Sequence, residues 1–165
     1  MKELEFQDRR HLKAAEGWLE LGNVLEANEE LENITPEMRA HPDVLCLRWQ
    51  VYAGAKKWEM AAEVARGISI AVPDSPFGWI HWAYSLHALK RTKEAYEVVN
   101  SVVAKFPDEY LMRYNMACYA CQLGNLKEAR VWLGKAIDLA GKKDIRLMAL
   151  DDPDLQPLWN EIGEI

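Results

Sequence analysis

The sequence lacks an excess of positive charge and has no long hydrophobic run. Its 165 residues include 20 Lys and Arg against 26 Asp and Glu, which gives a net charge of −6 at pH 7. Such a chain offers phosphate groups no basic field, so we expect neither nucleic acid nor an anionic membrane surface as a partner. Charges interrupt the hydrophobic positions of the first segment, MKELEFQDRRHLKAAEGWL, which is not typical of a signal peptide or a membrane span. We therefore expect a cytoplasmic protein.

Cysteine is scarce, and the common catalytic motifs are missing. Three cysteines cannot build a disulfide framework, and an odd number suits a reducing compartment. The sequence contains no phosphate-binding GxxxxGKS or GxxxxGKT loop, no GxGxxG turn after a strand, no HExxH helix and no GxSxG elbow. We expect a protein that is not an enzyme and needs no cofactor.

What the sequence does contain is a repeat of 34 residues. Four alanines define it: Ala27, Ala61, Ala95 and Ala129. Four residues after each alanine stand Leu31, Ala65, Val99 and Leu133, and seven residues after each stand Ile34, Ile68, Val102 and Ala136. The spacing i, i+4, i+7 is one face of a helix, so every unit carries the same apolar stripe.

Polar breaks and prolines mark the ends of the helices in each unit. Short breaks recur at the same step, as LGN at 21–23, AKK at 55–57, LKR at 89–91 and LGN at 123–125. The motifs HPDV, VPDS and FPDE place a proline where one unit stops and a polar residue where the next begins. The sequence thus predicts helix, tight turn, helix in each unit. A single pair of this length cannot bury its apolar face alone, so the units must stack.

This pattern resembles the tetratricopeptide repeat over about residues 9–141, most closely in RYNMACYACQLGNLKEARVWLGKAIDL. The resemblance implies an all-α fold, a right-handed α-solenoid of helix-turn-helix repeats forming one domain over residues 1–165. Repeats are expected at about 8–41, 42–75, 76–109 and 110–143, with a C-terminal capping helix in 144–165. Four residues depart from the family pattern. Trp49 fills a column that the family keeps small, Arg48 fills one that it keeps apolar, and Lys56 and Lys90 replace the turn glycine.

Two helical stretches carry no charged residue, FGWIHWAYSLHAL at 77–89 and YNMACYACQLGNL at 114–126. Surface helices usually show charge on every turn, so these faces are expected to contact something other than water. In the resembled family, the face of each first helix opposite the core lines a concave groove that binds partner peptides. Carried over, the groove residues are Phe77, Ile80, His81, Tyr84, His87, Tyr114, Asn115, Cys118, Cys121 and Gln122.

The resemblance therefore predicts a protein–protein interaction module that binds a partner protein or peptide in an apolar, aromatic groove. Tyr84 and Tyr114 are the expected anchors. Two alternatives remain open at this point. Neighbouring helices or the C-terminal segment could cover the groove, or the same face could pair two copies into a homodimer.

Cys118 and Cys121 raise the separate possibility of a thiol or metal site. A redox-active pair sits at a helix start, whereas Cys118 is expected about three turns inside its helix. For zinc, His87 shares a column with Cys121, but His81 is the only obvious fourth ligand and is predicted to point elsewhere. We therefore expect no metal, and we keep a thiol or metal-binding protein as the less favoured interpretation.

Overall fold

The computed structural model describes residues 3–164, and all regular structure in that range is helical. The ten α-helices are α1 (Phe6–Glu20), α2 (Val24–Glu32), α3 (Pro42–Gly54), α4 (Trp58–Ala71), α5 (Pro76–Ala88), α6 (Thr92–Val102), α7 (Tyr110–Gln122), α8 (Leu126–Ala140), α9 (Lys142–Asp151) and α10 (Trp159–Glu164). Three 3₁₀ segments follow α2, α6 and α9, at Pro36–Met38, Val103–Lys105 and Pro153–Leu158. Within the units, α1 pairs with α2, α3 with α4 and α7 with α8.

The turn inside each pair keeps one backbone conformation even where the glycine is lost. Gly22 and Gly124 have φ of 74° and 81°, and the lysines at the matching positions have φ of 56° at Lys56 and 63° at Lys90. A side chain in this left-handed region is strained, because its Cβ crowds the backbone. The repeat therefore imposes the turn on both lysines.

The repeated alanines lie in the core. Ala27, Ala61, Ala95 and Ala129 are fully buried, as the 34-residue column predicts. The residues four positions later are buried as well. Small side chains at these positions allow two helices to approach closely, so the sequence periodicity corresponds directly to the packing.

By its internal contacts the chain divides into two compact units, one ending at Ser85 and one beginning at Leu86. In the first unit, α1 packs on α2 and α3 packs on α4. The start of α5 lies very close to α4, because a Cβ built on Gly78 would lie 2.4 Å from the backbone nitrogen of Ser69. Glycine at this position is what permits the approach.

In the second unit α7 packs against α6, α8 and the last 3₁₀ segment, so it is buried around its whole circumference from Met112 to Cys121. The region expected to form one capping helix instead folds as α9, a 3₁₀ segment and α10, because Pro153 and Pro157 interrupt it. Leu155 and Leu158 are fully buried. We call residues 152–158 the C-terminal segment.

Candidate partner-binding surface

Five aromatic rings of the first unit lie together where α3, α4 and α5 meet. We call this set the aromatic cluster: Trp49, Trp58, Phe77, His81 and Tyr84. The ring centroids of Trp49 and His81 are 4.0 Å apart, and those of Phe77 and His81 are 3.9 Å apart in a stacked arrangement. Tyr84 contacts Trp58 and Trp49 edge to face, at 5.7 and 6.3 Å. Such geometries are favourable beyond the area that they bury.

Hydrogen bonds fix the centre of the aromatic cluster. The indole nitrogen of Trp49 donates to Ser85 Oγ at 3.0 Å, and Ser85 Oγ donates to the carbonyl oxygen of His81 at 2.7 Å. His81 Nδ1 lies 2.8 Å from the carbonyl oxygen of Phe77 and so donates to it. Burial lowers the pKa of His81. The imidazole is therefore neutral at pH 7 and extends the apolar ring surface.

Tyr84 is the member of the aromatic cluster that opens to solvent. Its side chain is 45% exposed, whereas Trp49 beneath it is buried. A tyrosine held by ring contacts on one side offers its remaining face and hydroxyl to a partner with little further loss of freedom. The first unit thus presents a rigid, partly exposed aromatic surface.

In the second unit the predicted groove residues contact the C-terminal segment. Tyr114 is only 5% exposed, and its hydroxyl donates to Asp152 Oδ2 at 2.8 Å. The thiol of Cys118 lies 3.4 Å from the same oxygen. Asn115 and Cys121 are also buried. These side chains hold a part of the same chain.

Asp154 makes the second set of contacts. Its Oδ2 accepts from His87 Nε2 at 2.8 Å, and its backbone oxygen accepts from the Gln122 amide at 2.9 Å. The other ring nitrogen of His87 lies 2.9 Å from Thr92 Oγ1. Because these groups recognise both the side chain and the main chain of Asp154, they fix the path of the C-terminal segment across α7.

The structure thus separates the ten predicted groove residues into two sets. Four lie in the first unit, where Phe77, His81 and Tyr84 join the aromatic cluster and Ile80 is buried. Six lie in the second unit, of which Tyr114, Cys118, Gln122 and His87 contact the C-terminal segment directly and Asn115 and Cys121 are buried.

The cysteines carry protonated thiols at neutral pH. Burial and then the Asp152 carboxylate raise the pKa of Cys118, burial raises that of Cys121, and burial raises that of Cys46 to about 11. Within residues 3–164, no three His, Cys, Asp or Glu side chains are placed to hold a metal ion. The same part of the chain contains no helix with the length and apolar character needed to cross a bilayer.

Solved structures show what this arrangement of helices is. A thermophilic TPR protein of Thermus thermophilus superposes with a TM-score of 0.76 at 17% identity, over 94% of this chain and 83% of that chain. The chain has the tetratricopeptide-repeat fold. The predicted all-α helical-repeat solenoid class is thereby confirmed.

Two further superpositions come from proteins named MamA. A fragment from Desulfovibrio magneticus RS-1 gives a TM-score of 0.75 at 17% identity, over 98% of this chain and 96% of that chain. MamA of MSR-1 gives 0.68 at 21% identity, over 81% and 77%. No family model matches the sequence, and no curated protein matches it.

Trp49 and Trp58 are the members of the aromatic cluster that sequence reasoning did not assign to a site. The column of Trp49 holds alanine in the other three tetratricopeptide repeats, at Ala15, Ala83 and Ala117. That departure was the available signal, because a large ring in a column of small residues must displace its neighbours. Trp58 gave no comparable signal.

Proposed function

We propose that this chain is a protein–protein interaction module and that the aromatic cluster of its first unit binds the partner, with Tyr84 as the anchor. The observation that carries the proposal is the partly exposed ring of Tyr84, which packs against the rings of Trp49 and Trp58. Interface energy concentrates in a few large side chains that are already held in place, and tyrosine is enriched among them. The fold is compatible with such a role, although fold alone does not define a partner.

The chemistry of the aromatic cluster favours an apolar partner segment. His81 is neutral, and the other four side chains carry no charge, so a charged segment would lose hydration without gaining an ion pair. Tyr84 and Trp58 offer ring faces and edges that accommodate aliphatic or proline side chains. The partner is therefore expected to present apolar residues, with hydrogen-bonding groups within reach of the Tyr84 hydroxyl.

The predicted groove residues of the second unit are not expected to make the primary contact with the partner. Tyr114, Cys118, Gln122 and His87 already bind the C-terminal segment, and Leu155 of that segment is fully buried. These residues, with the neighbouring Asn115 and Cys121, can receive a partner only if the C-terminal segment leaves. We therefore place the primary contact in the first unit.

The proposal is tested by affinity capture from cell extract with three matched variants. Tyr84→Ala removes the anchor, and Tyr84→Phe keeps the ring but removes the hydroxyl. Phe6→Ala removes an exposed ring that lies outside the aromatic cluster. All three should keep the wild-type helicity by circular dichroism, because both positions are exposed.

We expect a protein that is captured by the wild type, by Tyr84→Phe and by Phe6→Ala, and that is lost with Tyr84→Ala. Capture that is equal for all four chains would move the binding site away from the aromatic cluster. Light scattering on the same samples tests the homodimer alternative. A dimer that is lost only in Tyr84→Ala would show that the partner is a second copy.

A further inference from the structure

A second surface with binding character lies on α9, outside the aromatic cluster. Lys142, Lys143, Arg146, Leu147 and Leu150 line an open depression of about 600 Å³. Leu147 is 62% exposed. Positions 143, 147 and 150 follow the helical spacing i, i+4, i+7, so a basic residue and two leucines form one stripe. We call these five residues the α9 surface.

The opposite chemistry occurs on α2 and the turn that precedes it, in the other unit. Leu21 and Leu25 are each 76% exposed, and Glu26 and Glu29 are exposed beside them. The sequence of α2, VLEANEELE, holds four glutamates and no cation. We call Leu21, Leu25, Glu26 and Glu29 the α2 surface.

Neither surface has its charge neutralised within the part of the chain described by the structure. The ion pairs of α2 involve Glu30 with His11, and Glu32 with Arg39 and Arg48, so Glu26 and Glu29 remain available. Lys142 and Lys143 take part in none of the ion pairs among residues 3–164. The charge asymmetry extends to the whole sequence. Residues 1–85 carry nine Lys and Arg against fourteen Asp and Glu, whereas residues 86–165 carry eleven against twelve.

We propose that the α9 surface of one copy binds the α2 surface of a second copy. Each surface combines exposed leucine with charge of one sign, so docking would bury the leucines and bring lysines opposite glutamates. An apolar centre with a complementary polar rim is the usual anatomy of a protein interface. The occupant is a second copy because the same chain presents both halves of the match.

The contact joins two different surfaces and is therefore heterologous. After one contact forms, each pair of copies still has one free α2 surface and one free α9 surface, so growth continues until a ring closes or the chain of copies ends. Self-association should rise with protein concentration and should weaken at high salt, because the rim contacts are solvent-exposed. The aromatic cluster takes no part in it, so this proposal and the proposed function can fail independently.

A charge-swap experiment tests the contact by sedimentation velocity of the full chain at rising concentration. The first variant, Lys142→Glu with Lys143→Glu, makes the α9 surface acidic. It should keep α9 folded, because glutamate is favourable at a helix N-terminus. The second variant, Glu26→Lys with Glu29→Lys, makes the α2 surface basic. The control, Lys93→Glu with Lys127→Glu, makes the same charge change at exposed lysines outside both surfaces.

We expect the wild type and the control to associate alike, and each surface variant alone to associate at least ~10-fold more weakly, because like charges then face each other. An equimolar mixture of the two surface variants should regain association, since every contact in the mixture is again complementary. A wild type that stays monomeric at all concentrations would overturn the proposal, as would variants that associate like the wild type or a mixture that stays dissociated.

Discussion

Tyr84 and Cys118 stand at the same position of successive repeats, yet one side chain is 45% exposed and the other is buried. In the third repeat the tyrosine stands over rings of its own unit. In the fourth repeat the smaller cysteine faces Asp152 of the C-terminal segment. The same helix face is therefore partly exposed in one repeat and covered by the C-terminal segment in the next.

The largest effect is expected from removing the apolar anchor of the C-terminal segment. Leu155→Ala should lower the free energy of unfolding by about 2–5 kcal/mol, because a fully buried side chain leaves a cavity. Urea denaturation measures the change, with Gln156→Ala, at an exposed neighbouring position, as the control. A loss below about 1 kcal/mol would mean that the segment is only loosely held, since such a small loss is typical of surface positions.

Gly78→Ala should cause a slightly smaller loss of stability. It tests the close approach of α5 to α4 in the first unit. The new Cβ would lie 2.4 Å from the backbone nitrogen of Ser69, so α5 must shift, at a cost of about 1–3 kcal/mol. Gly67→Ala is the control, since nothing lies within 4 Å of its added Cβ and alanine favours the helix. In thermal unfolding, the midpoint temperature should be lower than that of the wild type for Gly78→Ala and higher for Gly67→Ala. A rise for both would contradict the close approach at Gly78.

Removing the hydroxyl of Tyr114 should destabilise the protein more than removing the hydroxyl of Tyr84. Tyr114→Phe should lower the free energy of unfolding by about 1–2 kcal/mol, because Asp152 loses a donor inside the protein. Tyr84→Phe should leave stability nearly unchanged, since it keeps the ring contacts and Tyr84 is partly exposed. Denaturant unfolding of both variants measures the difference. Equal losses of stability in the two variants would contradict the contrast between the partly exposed Tyr84 and the buried Tyr114.

Replacing the strained lysine of each turn by glycine should raise the stability by a similar amount in both units. Lys56→Gly and Lys90→Gly each place glycine at a φ that lysine adopts at a cost, so each should raise stability by up to about 1 kcal/mol. Differential scanning calorimetry shows the gain as a higher midpoint. A fall in both would indicate that the lysine side chains make contacts that outweigh the strain.

The smallest effect is a pH dependence specific to the first unit. Burial lowers the pKa of His81 in the folded state, so between that value and its ordinary pKa the unfolded chain binds the proton and the folded chain does not. The folded state therefore loses stability as pH falls through the ordinary pKa of histidine, about 6.5, towards the lowered pKa of the folded state. His81→Gln should reduce this slope in urea titrations at several pH values. An unchanged slope would assign the acid sensitivity to other groups.

The sequence predicted the helix pairs well because the fold depends on features that are local and periodic. The column from Ala27 to Ala129 and the turn positions from Gly22 to Gly124 recur every 34 residues, and each acts within its own helix pair. Even Lys56 and Lys90, which break the glycine column, adopt the conformation that the column requires.

The site was less predictable because it depends on contacts between residues that are distant in sequence. Tyr114 meets Asp152 across 38 positions, and Trp49 meets Ser85 across 36. Neither contact has a periodic signature. The acidic residues around Pro153 carry no signal in the sequence that this segment would bind α7. The aromatic residues at 77–84 could be recognised from the sequence, and Trp49 stood out in a column of alanines, but Trp58 gave no signal.

Hydroxyl-radical footprinting of Tyr84 and Tyr114 in one sample tests the central contrast most directly. Mass spectrometry of the digested chain gives the rate of oxidation at each ring. We expect Tyr84 to be oxidised several-fold faster than Tyr114, and Leu155→Ala to narrow the ratio of the two rates by loosening the C-terminal segment over Tyr114. Equal rates in the wild type would mean that the C-terminal segment leaves the second face open, and would contradict the account.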